Sequence, residues 1–400
     1  MRVLIATFAH IRGQTETRQN PRPPQLAGCL PGGALAGQPD QARAGGRSAP
    51  RWPNPSTVSW RMGLTAGSCR RERYGRSMSS RELEVVVIGA GVSGLTTAIC
   101  LAEAGLAVGV HAAAPPQATT SAAAGALWGP HLVGMDERVV RWTTVTLARL
   151  LEMLDNPATG VRLLAGIDAS RNSRQDPPDW ISTVDGQPPQ PAGPVPAGYA
   201  TGWRFKAPVV DMPVYLGYLL ARLQQTCAEF RDDCAFGSLA EAIEQTSARV
   251  IVNCSGIGAH HLVPDATVTA VRGQVVAVAN PGISEFFVGT GDDPGDLTYL
   301  FPHRDTVILG GTEQPGNWST KPDPATAAQI MRNCAAIEPS LAGAPVVAHR
   351  VGLRPVRPSV RLEAEDIGGG RRLLHNYGHG GAGITLSWGC ALDIAAAVTG

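Results

Sequence analysis

No run of about eighteen consecutive apolar residues occurs anywhere in the chain, which excludes a membrane-spanning helix. Net charge is nearly absent as well. The 34 lysines and arginines are matched by 33 aspartates and glutamates, so nothing in the balance points to nucleic acid or an anionic membrane surface as a partner. The eight cysteines are scattered, with no CxxC pair among them. Disulfide-framework and zinc readings both lack the spacing they need, no metal is expected, and a reducing compartment is the simplest fit. Acidic residues are almost missing from the first 80 positions, where only Glu16, Asp40 and Glu72 precede Met78. That stretch is rich in Arg, Pro, Gly and Ser and buries too little apolar surface to offset chain entropy. It reads as an unstructured extension ahead of a natural start at Met78. The alternatives are an organelle transit peptide, suggested by the arginines, and a structured segment.

What is present is organised around Val85 to Gly105. Four apolar residues, Val85 to Ile88, read as a buried strand. Gly89, Ala90, Gly91, Val92, Ser93 and Gly94 then form a GxGxxG turn. Gly89 allows the tight turn, Gly91 lets backbone approach a pyrophosphate, and Gly94 lets helix and strand pack closely. Val92, Leu95, Ile99 and Ala102 follow at near-helical spacing, and Leu106 to Val110 completes a βαβ unit. A dinucleotide is therefore expected at the helix start, where free N–H groups and the helix dipole favour phosphate. The alternative is a tight turn in an unrelated α/β domain. One part of the fingerprint is missing: the second strand ends in His111-Ala112-Ala113-Ala114, without the carboxylate that would hold a ribose.

Further along, Thr119 to Trp128 is a run of small and hydroxyl residues that would let backbone lie against a flat ligand, or else serve as a loop and helix cap. Helices are predicted over Thr143 to Leu154, Val214 to Phe230 and Pro324 to Ile337, and from about Ile384. Val250 to Asn253 reads as a second core strand, followed by Cys254-Ser255-Gly256. Gln175 to Pro196 reads as an irregular connection with Trp180 anchored. Strands are predicted at Val268 to Val271, Gly273 to Val278, Glu285 to Gly289, Leu297 to Phe301, Asp305 to Leu309, Val346 to Arg354 and Arg371 to His375. The last helix reaches Gly400 with no stop signal, and the native helix is expected to continue beyond it.

Three stretches together carry a family resemblance: VVVIGAGVSGL from Val85, VGLRPVRPSVRLE from Val351, and LLHNYGHGGAGIT from Leu373 with WGCAL from Trp388. From about residue 83 to the end, the chain resembles the D-amino-acid oxidases, and HNYGHGG with WGCAL is specific to them and to D-aspartate oxidases. The resemblance implies an α/β protein, α+β overall. A Rossmann-like FAD-binding domain would be built from about 83–170, 208–262 and 350–400. A second, mixed-sheet substrate domain would come from about 171–207 and 263–349. It implies FAD as cofactor and a D-amino acid and O2 as small-molecule partners. Hydride passes from Cα to flavin N5, the imino acid hydrolyses to a 2-oxo acid and ammonia, and reoxidation of the flavin yields hydrogen peroxide. Homodimers are common among such proteins. The chain ends in Val-Thr-Gly rather than Ser-Lys-Leu, so the cytoplasm is the expected location.

Residue by residue, the resemblance gives Arg354 and Tyr299 the substrate carboxylate and the Gly381 carbonyl the substrate amino group. It assigns flavin contacts to Thr119, Thr120, Ser121, Gly125, Ala126, Leu127, Ser255, Gly256, Arg272, Gly380, Gly381, Gly383, Ile384 and Thr385. A structural ion pair suits Arg357 or Arg361 better than Arg354. His375 and His379 are expected to be structural or flavin-framing, since the mechanism needs no acid–base residue. Many vertebrate members carry a tyrosine where Gly295 stands here, so a different, more open lid is expected. D-Aspartate oxidases place an arginine in the Gly-Gly-Thr-Arg-Gln stretch, whereas this chain has Glu313, which predicts neutral or basic D-amino acids over D-aspartate. Three alternatives stand beside this reading: a D-aspartate oxidase, a flavin dehydrogenase or glycine- or sarcosine-type oxidase on the same fold, and a catalytically impaired FAD-binding member.

Overall fold

A computed structural model describes residues 82–173, 176–184, 187–291 and 296–400. The arginine-rich leader and Gly295 lie outside these residues. The chain opens with β1 (Val85–Ile88), α1 (Val92–Glu103), β2 (Val108–His111), α2 (Glu137–Leu151), β3 (Val161–Ser170), β4 (Gln190–Pro191) and β5 (Thr201–Val210). It continues through α3 (Met212–Gln225), β6 (Glu229–Arg231), α4 (Leu239–Glu244), β7 (Val250–Asn253), α5 (Ala259–Leu262), β8 (Thr269–Ala279) and β9 (Phe286–Thr290). The remainder is β10 (Leu297–Pro302), β11 (Thr306–Gly310), β12 (Gln314–Pro315), α6 (Pro324–Ile337), β13 (Val346–Val356), β14 (Arg361–Asp366), β15 (Arg372–Tyr377) and α7 (Gly383–Thr399).

Two sheets result. The first has the order β14-β15-β7-β1-β2-β6, and all its pairings are parallel except that of β14 with β15. Its central strands are apolar on both faces because helices cover both sides, the pattern of a doubly wound sheet. The second runs β12-β8-β11-β10-β9-β3-β5-β4, with β13 on the other edge of β8. It is mixed: β3 and β9 are parallel and their neighbours antiparallel. Helix α6 is capped by Asp323, which accepts from Thr326 N. It buries Ala327, Ile330 and Cys334 against Val276, Val278, Leu300 and Leu309. Among the described residues, no helix is long and apolar enough to cross a membrane.

Several boundaries differ from the sequence expectation for local reasons. Helix α2 starts at Glu137, not Thr143, because Asp136 caps it by accepting from Val139 N at 2.9 Å. The helix expected to reach Phe230 ends at Gln225, since Phe230 pairs with Val110 in the first sheet. The two strands expected on either side of Arg272 form one, β8. β3 and most of β13, expected in the dinucleotide-binding part, both belong to the second sheet. Trp180 sits on a short helical turn and packs edge-on against Phe205 and Trp128.

Candidate active site

The first sheet delivers a phosphate-sized turn. Gly89 has φ +108°, and a Cβ there would lie 2.6 Å from the Cys254 carbonyl oxygen, so only glycine fits. A Cβ on Gly94 would stand 1.9 Å from Gly89 O, which shows how closely α1 rests on the turn. The N-cap of α1 is Gly91, with no side-chain cap and no acid in the first turn. Ser121 Oγ accepts from Val92 N at 3.0 Å, bringing the Thr119–Ser121 segment to the helix start. The neighbouring Ser255 Oγ is buried without a hydrogen-bond partner among the described residues, and Gly256 beside it has φ +58°. A buried hydroxyl left unpaired costs about 1–3 kcal/mol, which a ligand oxygen would offset. An anion-seeking helix end and an orphan hydroxyl are what a dinucleotide cofactor such as FAD needs. Where an acid would meet the ribose, Ala113 is exposed. Backbone bonds from Ala112 N to Arg231 O and from Cys234 N to Ala112 O bring the Asp232–Asp233 turn alongside.

The other expected flavin contacts converge from the loop after β2 and the start of α7. Thr120 Oγ1 donates to Leu353 O at 3.3 Å, one residue from Arg354. Gly125 packs on the rings of Phe301 and Tyr299, Ala126 O accepts from Val210 N, and Leu127 bridges to Val209. Helix α7 begins at Gly383 and Ile384 behind Ala382, with no side-chain cap. Two residues expected at the cofactor are occupied elsewhere. The Thr385 hydroxyl donates to Gly129 O at 2.9 Å and accepts from Gly129 N at 3.2 Å, so it braces the loop between β2 and α2. Arg272 is buried inside the second sheet. It donates to the carbonyls of Ser319 and Lys321 and to the side chains of Gln314 and Gln274. Its hydrogen bonds make it a brace for β8 and β12.

Arg354 and Tyr299 come together although they lie on β13 and β10. The half-buried Arg354 guanidinium lies over Gly273 of β8; a Cβ there would be 2.6 Å from Cζ, Nη1 and Nη2. Its Nη1 donates to Thr312 O at 2.9 Å. Tyr299 stacks on Phe301, with centroids 4.5 Å apart, and its ring fills the space left by Gly310 and Gly311. Burial raises the Tyr299 pKa, while the Arg354 charge and a hydrogen bond from it pull the other way. Among the described residues no carboxylate lies within ion-pair distance of Arg354. By contrast, Arg357 pairs with Asp265 at 3.0 Å and Arg361 with Glu363 at 3.2 Å. The arginine assigned to substrate is thus the unpaired one of the three.

Gly381 donates its N–H to His131 O at 3.0 Å, and Gly380 donates to Pro355 O at 2.9 Å, which ties the glycine turn to the strand carrying Arg354. His131 was not singled out from sequence. Its Nε2 meets Glu313 Oε1 at 3.1 Å, and its ring lies against Gly381. Burial would raise the Glu313 pKa, but the hydrogen bond and charge of His131, with the charge of Arg354, outweigh it and hold the carboxyl below its ordinary range. The one available signal was a polar histidine inside the otherwise apolar Leu127–Val133 stretch. The buried His375 lies between Asn253 and Glu365, and His379 hydrogen-bonds Asn376, so both serve the packing.

Residues 84–397 match the FAD dependent oxidoreductase family, DAO. A D-amino-acid oxidase of Rubrobacter xylanophilus is 48% identical over 313 residues, covering 78% of this chain and 94% of that protein. One of Streptomyces coelicolor is 44% identical, covering 79% and 96%. Human D-aspartate oxidase is 33% identical, covering 79% and 94%. Among solved structures, glycine oxidase of Bacillus cereus aligns with TM-score 0.65 at 19% identity over 79% of this chain and 95% of that one, a likeness of fold. With its glycine turn, its paired sheets and this match across residues 84–397, the chain belongs to the DAO family of FAD-dependent oxidoreductases.

Proposed function

We infer that the protein is a D-amino-acid oxidase acting on neutral D-amino acids, with basic ones also admitted. The observation that carries this is Arg354: a half-buried guanidinium, steered by a carbonyl rather than by an acid, beside the Tyr299 hydroxyl. A guanidinium so placed would take a carboxylate through two parallel N–H···O bonds, fixing orientation as well as charge. The Tyr299 hydroxyl, kept protonated by burial, would donate a further bond. The Gly381 carbonyl would accept from the substrate amino group. Three fixed points orient a chiral centre, so one enantiomer presents its Cα–H productively. FAD, when bound, supplies the hydride acceptor, and its reoxidation by O2 yields hydrogen peroxide. Released imino acid hydrolyses to a 2-oxo acid and ammonia.

The relatives at 48% and 44% identity carry this activity in their names, which supports the reading over that of the D-aspartate oxidase relative at 33%. Glu313 supports it too, since a buried anion near the pocket opposes a dicarboxylate. Cytoplasmic residence and a homodimer form part of the same proposal, checked by fractionation and light scattering. The central test is anaerobic: FAD-loaded protein is mixed separately with D-alanine, L-alanine and D-aspartate. Bleaching of the oxidised flavin band by D-alanine alone is expected. Bleaching chiefly by D-aspartate or by the L-enantiomer would overturn the assignment.

A further inference from the structure

Glu313 poses an electrostatic problem. It is an acid beside the arginine that must stay open for substrate. The residue before it, Thr312, offers the carbonyl that steers Arg354 Nη1. The guanidinium is near enough for its charge to favour the ionised carboxylate. Yet among the described residues Glu313 Oε1 lies 3.1 Å from His131 Nε2 and forms no ion pair with Arg354. A carboxylate turned onto the guanidinium would satisfy both groups and leave an incoming carboxylate to compete with an internal one. The histidine is itself held in place: its carbonyl accepts from Gly381 N, and its Cδ2 lies 2.2 Å from where a Gly381 Cβ would stand. The Glu313 side chain is 11% exposed and that of His131 35%, so the acid is the more deeply set of the pair.

We propose that His131 is a positioning residue that draws Glu313 away from Arg354. The guanidinium then stays free for the substrate carboxylate, and the Glu313 carboxylate stands as an inner anion that favours a cationic side chain and disfavours a second carboxylate. This rests on the oxidase reading above. The tests use the FAD-loaded full chain with His131→Ala, His131→Gln, Glu313→Gln and the His131→Ala/Glu313→Gln double variant. In His131→Ala, Glu313 turns to Arg354. The KM for D-alanine and the Kd for benzoate, a carboxylate with no Cα–H to oxidise, rise about tenfold, and kcat changes less than about twofold. His131→Gln keeps a donor and stays near native. The double variant regains native KM and Kd, because no acid remains to block the arginine. In Glu313→Gln, kcat/KM for D-lysine relative to D-alanine falls about tenfold, and the ratio for D-aspartate rises. Unchanged D-alanine KM and benzoate Kd in His131→Ala, or a double variant as impaired as the single, would overturn the proposal, since a purely structural loss would persist without Glu313. If His131→Ala does not fold, the substrate ratios of Glu313→Gln decide. If native protein binds benzoate but oxidises no D-amino acid, the oxidase reading fails while the benzoate series still reports on Arg354 and Glu313.

Discussion

Replacing Gly273 with alanine probes the carboxylate-binding geometry without altering any group that makes it. Gly273 is buried in the middle of β8, opposite Gly352 of β13. A strand tolerates alanine at least as well as glycine, with a gain of about 0.5–1 kcal/mol from the stiffer backbone. The added Cβ, however, would stand 2.6 Å from three atoms of the Arg354 guanidinium. Non-bonded carbon contacts settle at about 3.5–4.0 Å, so the guanidinium must withdraw by about 1 Å. That withdrawal disrupts the 2.9 Å bond from Nη1 to Thr312 O and moves the donors off the Tyr299 hydroxyl. Misplacing a positioning group by about 1 Å costs on the order of 100-fold. Because the displaced atoms are the far end of a flexible side chain, the fold should hold, with Tm within a few degrees of native. Peroxide release with D-alanine should show kcat/KM lowered about 100-fold, chiefly through KM, with a parallel rise in benzoate Kd. A folded Gly273→Ala protein with native D-alanine kinetics would refute the reasoning.

Other outcomes follow from the same structure. Arg354→Lys keeps the charge but loses the planar fork; loss of a charge-assisted bond worth about 1.5–3 kcal/mol lowers kcat/KM about 10- to 100-fold with flavin content unchanged, and a loss of flavin instead would reassign the residue. Gly94→Ala drives a Cβ into the Gly89 carbonyl; the expected result is a loss of about 1–3 kcal/mol in stability and a low ratio of flavin to protein absorbance after purification. His379, ordinarily near 6.5, is pushed down to about 4 by burial, so the unfolded chain takes up a proton that the folded one refuses. Stability is therefore full above histidine's ordinary pKa and falls as pH drops toward about 4, by up to about 3 kcal/mol from this residue. Burial lowers His111 and His375 in the same sense. Urea midpoints should fall between neutral and mildly acidic pH, with a shallower slope in His379→Gln; an equal slope in that variant would remove His379 from the account.

The glycine turn is legible in the sequence because its demands are local. Gly94 answers a clash with the nearby Gly89 carbonyl and Gly89 a positive φ of its own, though the Cys254 carbonyl that also crowds Gly89 is distant in sequence, and the apolar runs on either side announce the elements they join. Arg354 and Tyr299 are legible only through the motifs around them. Their meeting depends on four strands held in register, which no periodicity reports. The same non-locality hides the setting of Arg272: the resemblance alone places it near the cofactor, while its hydrogen bonds tie it to Gln314 and Lys321 around β12. β13 looks like a strand from pattern alone, but pattern does not say which sheet will claim it. His131 leaves almost no trace, because its meaning depends on an acid far along the chain.

The path of the backbone between the sheets bears on how the protein is made. The chain visits the first sheet with β1 and β2, leaves for the second, returns for β6 and β7, leaves again, and comes back only with β14 and β15. β1 lies between β2 and β7, β7 lies between β1 and β15, and the closing helix α7 packs along α1. A ribosome therefore releases the glycine turn early, but not the walls that give it shape. Contacts of such long sequence separation form slowly and late. Shaping of the flavin site thus waits until α7 has emerged and packed along α1.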